Sequence, residues 1–200
     1  MVEKIFISLL NFFYSFSHDF GISLILFAFL IYLLFLPLTF FQLKSQKRLD
    51  GFQKKLKEIQ EKYKNDKKAQ TEAIAQFLKE KNFRPFSFLL IFFIQLPILI
   101  IIYQIILKQV THPVFPPFFL NTFDLTKPHF LFPLLIFLIQ IFQTSQANFF
   151  QYFMVFFVFL ILLKLPAGLN LYLLTFTFLS FLTQKVFFRK LTNKEKFPNQ

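Results

Sequence analysis

Two hundred residues, 56% of them hydrophobic, 37 of them Phe and only 16% charged, exclude an ordinary soluble domain and point to a bilayer protein. The formal charge of +12 calls for an acidic partner surface. With no cysteine in the chain, disulfides, thiol catalysis and zinc clusters of the cysteine type are excluded, and the fold rests on helix packing.

In chain order, residues 1–19 open like a signal peptide, with Lys4 before an apolar run. No small-residue cleavage site follows, and polar groups from Asn11 to Asp19 interrupt the run. Ile5, Leu9, Phe13, Phe16 and Phe20 recur every three to four residues, which predicts a retained helix lying flat in the membrane interface. Five windows nearly free of charge follow, at 20–41, 86–107, 130–144, 148–163 and 167–188. A helix crosses a hydrocarbon core of roughly 30 Å with about 20 residues, so these are read as spans, the third and fourth being short. The expected fold is all-α: five transmembrane helices, an N-terminal interfacial helix at 1–19, and a helical hairpin at 42–85 between the first two spans.

Charge sets the expected orientation. From Lys44 to Pro85 there are 13 Lys/Arg against 6 Asp/Glu, a net of +7, and the tail of Lys185, Arg189, Lys190, Lys194, Glu195 and Lys196 is net +4. The positive-inside tendency puts both segments in the cytoplasm and the N-terminus outside. The connection at 108–129, with Lys108, Lys127 and Asp124, then falls outside, and 189–200 forms a basic cytoplasmic tail. Anionic lipid headgroups, attracting at roughly 1 kcal/mol per Lys or Arg near the surface, and ribosomal RNA are both acidic partners of the right kind. Charge does not choose between them, and nothing points to DNA.

Within 42–85, Leu49, Phe52, Leu56, Ile59 and Tyr63 are spaced 3, 4, 3, 4. After the polar break Lys64-Asn65-Asp66-Lys67, Ala69, Ala73, Ile74, Phe77 and Leu78 form a weaker stripe. Two amphipathic helices joined by a short loop predict an antiparallel hairpin.

Apart from Lys164, read as an anchor snorkelling to the outer headgroups, the spans carry no ionisable Lys, Arg, Asp, Glu or His in their interiors. That speaks against a proton relay, an ion pump or a charged-substrate transporter. What remains is uncharged polarity. It comprises Tyr32 and Thr39 in the first span, Gln95 and Gln104 in the second, Gln140 and Gln143 in the third, and Asn170, Tyr172, Thr175, Thr177, Ser180, Thr183 and Gln184 in the fifth. Each alone reads as an ordinary interhelical hydrogen bond; together they point to a hydrated cleft. Pro37, Pro97, Pro133 and Pro166 bend or end helices and help to open it. There is no P-loop, metal-ligand cluster or nucleophile paired with a base, and His18, His112 and His129 fall near outer membrane borders, so neither an enzyme, a cofactor nor a small-molecule substrate is expected.

Order and residues together resemble the YidC/Oxa family of membrane protein insertases over nearly the whole chain. "DFGISLILFAFLIYLLFLPLTFFQLKS" is similar to the family's first core span, with Gly21, Pro37, Leu38, Thr39 and Ser45 in register. "LKEIQEKYKND" resembles its first cytoplasmic helix, "IQLPILIIIYQ" its second span around Gln-x-Pro with Gln95 and Pro97, and "LPAGLNLYLL" the signature that opens the last span with Pro166 and Gly168. The resemblance implies a cell (inner) membrane protein that brings nascent helices into the bilayer without hydrolysing nucleotide, alone or beside the Sec translocon, with nascent membrane proteins, lipid and the ribosome as partners. It implies a groove and client contact at Tyr32, Thr39, Gln95, Gln143, Tyr172, Thr177 and Gln184. The chain departs from the pattern where bacterial members usually carry an arginine, since the register places Tyr32 there. Leu173 stands for a tryptophan, Thr177 for an asparagine and Lys54 for a proline, and "RPFSFLLIFFIQ" lacks a small-residue pattern before Gln95. A noncatalytic assembly chaperone that binds helices laterally without translocating their tails is the second reading, favoured by the missing arginine.

Overall fold

The computed structural model describes residues 2–80, 89–111, 116–143 and 149–196. Side chains at 2, 42, 44–50, 52–54, 78–80, 89–94, 109–111, 149–150, 188 and 190–196 lie outside that description. The expectations for Ser45, Leu49, Phe52, Lys54, Leu78 and His112 therefore fall outside it, as do the expected segment ends at 86–88, 144, 148 and 197–200. The chain divides into two compact units, one of Met1–Leu36 with Leu96–Gln200 and one of Pro37–Gln95.

The described elements are α1 (Val2–Ser17), α2 (Phe20–Lys62), α3 (Lys67–Glu80), α4 (Leu89–Thr111), β1 (Phe118–Phe119), β2 (Phe123–Asp124), α5 (Leu131–Gln143), α6 (Phe149–Leu162) and α7 (Ala167–Lys196). Two helices run past the apolar segments that predict them. α2 continues from 41 to Lys62, because the residues beyond Phe41 are mostly Leu, Lys, Gln and Glu with one Gly and no Pro. α7 continues to Lys196 through a stretch without Pro or Gly. Pro37 and Pro97 do sit inside helices. Pro133 and Pro166, expected to bend or end helices, instead stand in the first turn of α5 and just before α7, where a missing N–H costs nothing.

The core of the larger unit is helical stripes facing one another. Phe20, Leu24, Phe27, Ala28 and Ile31 lie on one face of α2, and Ile98, Ile102, Ile105 and Ile106 on one face of α4. Leu10 of α1, Leu125 of the 108–129 connection, Phe132 of α5 and Ala167, Leu169, Leu171 and Tyr172 of α7 complete the cluster. α5 packs against both α6 and α7. α6 is covered little: Phe153, Phe156, Phe157, Leu160 and Ile161 are exposed, while Phe159 meets Phe130 and Phe137 of the α5 segment ring to ring. Among the described residues one helical segment, Phe20–Phe41, is long and apolar enough to cross a membrane, and Gln95–Lys108, Leu131–Gln143 and Gln151–Leu162 are shorter apolar stretches.

The 108–129 connection, expected as a loop, contains a small antiparallel hairpin with Phe118 opposite Asp124 and Phe119 opposite Phe123. Leu120 and Asn121 both take positive φ, 51° and 53°, and Thr122 N–H donates to the Phe119 carbonyl at 3.1 Å, which makes a tight turn of the hairpin kind. This hairpin ties helix ends together. Asp19 caps α2 by accepting from Ile22 N–H through Oδ1 at 2.9 Å, and its Oδ2 accepts from Leu120 N–H at 2.7 Å. The Leu125 and Lys127 carbonyls accept from Gly168 and Ala167 N–H at 2.9 and 2.8 Å, so the unpaired donors at the start of α7 are satisfied by backbone.

Both signature glycines are explained here. A Cβ on Gly21 would stand 2.3 Å from the Phe119 ring, and one on Gly168 would stand 3.0 Å from Ile106 Cδ1 and 3.2 Å from the Leu125 carbonyl oxygen. Burial would raise the Asp124 carboxyl, but hydrogen bonds from Thr126 and Lys127 outweigh it and hold its pKa below the ordinary carboxylate value.

In the smaller unit, α2 and α3 form a helix-turn-helix. Asp66 caps α3, its Oδ1 accepting from Lys68 and Ala69 N–H at 3.0 and 3.1 Å. Gln70 Nε2 donates to the Gln60 carbonyl at 3.0 Å across the turn, while Leu56, Ile59 and Tyr63 on the α2 side and Ala69, Ala73, Ile74 and Phe77 on α3 are half-buried.

Candidate functional site

The polar residues singled out in the sequence fall in both units. Tyr32, Gln143, Tyr172, Thr177 and Gln184 belong to the larger one, Thr39 and Gln95 to the smaller. Thr39 and Gln95 are each buried.

In the larger unit the packing of α2 on α7 decides where polarity can lie. Tyr32 is one helical turn beyond the buried stripe at Ala28 and is only 3% exposed. A phenol placed so deep needs a hydrogen-bond partner. It donates to Thr183 Oγ1 of α7 at 2.6 Å. Its ring meets Phe176 edge-on with centroids 5.2 Å apart, so the hydroxyl is held from two sides. Phe176 in turn meets Tyr172, and Tyr172 meets Phe27 of α2. Tyr172 is fully buried within this aromatic column.

Thr177 and Gln184 are half-buried on α7, seven residues apart and therefore on one face, with Ser180 between them. Gln143 at the end of α5 has a buried Nε2 with no partner among the described residues. Asn170 is fully buried; its Nδ2 donates to the Leu162 and Leu165 carbonyls at 3.0 and 3.2 Å and so closes the turn from α6 into α7. Its Oδ1 has no partner among the described residues. Lys164 is exposed in that turn, and the Lys185 ammonium lies over the Phe181 ring at 4.7 Å.

The structure therefore brings Tyr32 together with Thr183 and joins Tyr172 to the same column. Thr183 stands among the uncharged polar groups of the fifth span but not among the groove residues that the resemblance implies. Its signal is spacing: Tyr172, Phe176 and Thr183 fall at i, i+4 and i+11, one stripe of α7. Among the described residues no group of three or more His, Cys, Asp or Glu comes together to hold a metal.

A family model described as 60Kd inner membrane protein matches residues 12–195. The chain is 31% identical over 110 residues to the membrane protein insertase YidC of Geobacter metallireducens, covering 55% of this chain and 20% of that one. To the YidC of Nitrosomonas eutropha it is 33% identical over 138 residues, 68% of this chain and 22% of that one. A crystal structure of an active YidC insertase, with its first transmembrane domain resolved, superposes with a TM-score of 0.69 at 25% identity and covers 90% of this chain and 45% of that one. The chain thus spans about a fifth of the length of these two curated relatives and less than half of the solved one. The family match takes in both units and every candidate residue, and on it the chain belongs to the 60Kd inner membrane protein family, the YidC/Oxa family.

Proposed function

We propose that this protein is a membrane insertase that moves nascent hydrophobic helices from the cytoplasm into the bilayer. The observation that carries the reading is the family match over residues 12–195, which leaves hardly any of the chain outside it. The physical account is a change of solvent. A polar tail crossing intact hydrocarbon loses the water on each backbone group, at several kcal/mol per group. A wet, lipid-open groove lets the tail shed water in stages while the apolar segment slides into lipid. Burying the client helix, at roughly 25 cal/mol per Å² of apolar area, drives the step without nucleotide.

In this reading the chain crosses an inner membrane five times, with its N-terminus outside and its C-terminus in the cytoplasm. The scant protein cover on α6 favours a lipid neighbour for that helix. α1 lies at the outer interface, the basic α2–α3 hairpin receives clients, and the basic end of α7 engages lipid or a ribosome, alone or beside a Sec translocon. Tyr32, Thr39, Gln95, Gln143, Tyr172, Thr177 and Gln184 are the groove residues proposed. Because these groups are uncharged, clients with short, weakly charged outer tails are favoured over acidic ones.

A client series with zero to three acids in the outer tail, inserted into liposomes that hold the purified protein, tests the preference. Insertion should fall as acids are added; undiminished or improved insertion contradicts it. The same liposomes separate the second reading, an assembly chaperone favoured by the tyrosine at position 32. A client that crosslinks to the protein and never becomes inserted supports the chaperone.

A further inference from the structure

Two threonines of α7 spend their hydroxyls differently. Thr175 donates to the Leu171 carbonyl one turn back at 2.9 Å, the usual resting place for a helical threonine. Thr183 instead accepts from Tyr32 at 2.6 Å, and among the described residues no acceptor meets its own O–H proton. Tyr32 is buried and its ring packs edge-on against Phe176, whereas Thr183 is half-buried, so the member of the pair that keeps an uncommitted donor is also the more accessible one. A hydroxyl that accepts a hydrogen bond is polarised into a better donor. Left dry it is costly, and so is a carbonyl that has just lost its water. Each supplies what the other lacks.

We propose that Thr183 is a client-contacting donor and Tyr32 the positioning residue that orients and polarises it, and that the ligand is an uncharged amide oxygen, backbone or Asn/Gln side chain, of a tail in transit. This inference rests on the insertase reading and names the chemistry its groove selects. A neutral hydroxyl pair gives up little to an amide oxygen, which needs no counter-charge. It offers a carboxylate no fixed positive charge to replace its hydration, and one lone pair of Thr183 is already taken by Tyr32, which weakens it as an acceptor for a lysine ammonium.

The test compares two clients with outer tails of equal length, one rich in Asn, which presents two amide oxygens per residue, and one rich in Ala, which presents one. Liposomes carry the wild type, Thr183→Val, Thr183→Ser or Tyr32→Phe, each checked for unchanged thermal unfolding. Thr183→Val should lower insertion of the Asn-rich client about threefold, the weight of one interhelical hydrogen bond, with a smaller loss for the Ala-rich client. Thr183→Ser should restore the difference, and Tyr32→Phe should show it in weaker form. Equal losses for both clients, or none, overturn the assignment. If the wild type inserts neither client, the insertase reading itself fails and the assignment falls with it.

Discussion

Tyr32 is the residue on which the sequence leaves two readings open, packing or groove chemistry, and its surroundings narrow them. A phenol 3% exposed, donating at 2.6 Å to Thr183, is a specific interhelical bond and not an aromatic filler. Removing the hydroxyl in Tyr32→Phe should cost roughly 0.6 kcal/mol and leave thermal unfolding in detergent almost unchanged. Tyr32→Arg should lower the unfolding temperature more, because a guanidinium at that depth lacks a counter-charge among its described neighbours Thr183 and Phe176. If Tyr32→Phe unfolds as early as Tyr32→Arg, the hydroxyl and not the ring is what the site requires, and the small weight given to the bond is contradicted. Gly21 is the second telling residue. Its place in the family pattern is legible in the sequence, but the reason is a ring about a hundred residues away. Gly21→Ala should destabilise by roughly 1–3 kcal/mol through overpacking against Phe119, and the loss should shrink in a Phe119→Ala background. An unfolding temperature unmoved by Gly21→Ala contradicts that contact. Thr183 illustrates what a sequence hides. A threonine in an amphipathic stretch carries no mark of its partner, and only the approach of α2 to α7 reveals the shared bond.

Among the elements, long apolar helices are the legible part. The charge-free run at 20–41 gives the start of α2, and "LPAGLNLYLL" gives the start of α7. Where the chain turns polar the helices do not stop, because Lys, Gln and Glu favour helix as readily as they favour water. The β hairpin is not legible, since strands of two residues have no period and its turn places Leu120 at a φ of 51°, where leucine gives no signal. The hairpin is nonetheless the tie between α2 and α7, and Asp124 makes it sensitive to acid. The folded carboxyl titrates below its unfolded value, so its contribution is present above the unfolded pKa and is lost as pH falls through the lower folded value. Thr126 N–H, which donates to Asp124 Oδ1 at 3.0 Å, should therefore be protected from exchange at neutral pH and lose that protection in acid. It should exchange faster there than the falling intrinsic rate would give an equally protected amide, an extra acceleration due to the carboxyl. Asp124→Asn should remove that extra acceleration. An exchange profile identical in the variant shows that the carboxylate does not hold the turn.

For the whole molecule, composition and charge segregation state the class of protein before any motif is read, and the family match extends that reading across residues 12–195. The proposed orientation has its own check in a chain without cysteine. Single cysteines at Asn65, in the turn before α3, and at Asn121, in the β turn, should react with an impermeant maleimide from the cytoplasmic and the outer side respectively. Labelling of both from one side contradicts the five-span arrangement. The groove mechanism itself is less legible, because it depends on which uncharged groups face water, and a glutamine looks alike in sequence whether it meets a helix, a lipid or a client. The most direct test of the central claim is protease protection of a single-span client with a short, uncharged outer tail, added to liposomes holding only this purified protein. The account predicts a protected tail fragment that scales with the amount of protein and is absent from empty liposomes. A client that binds yet leaves its tail fully digestible contradicts it.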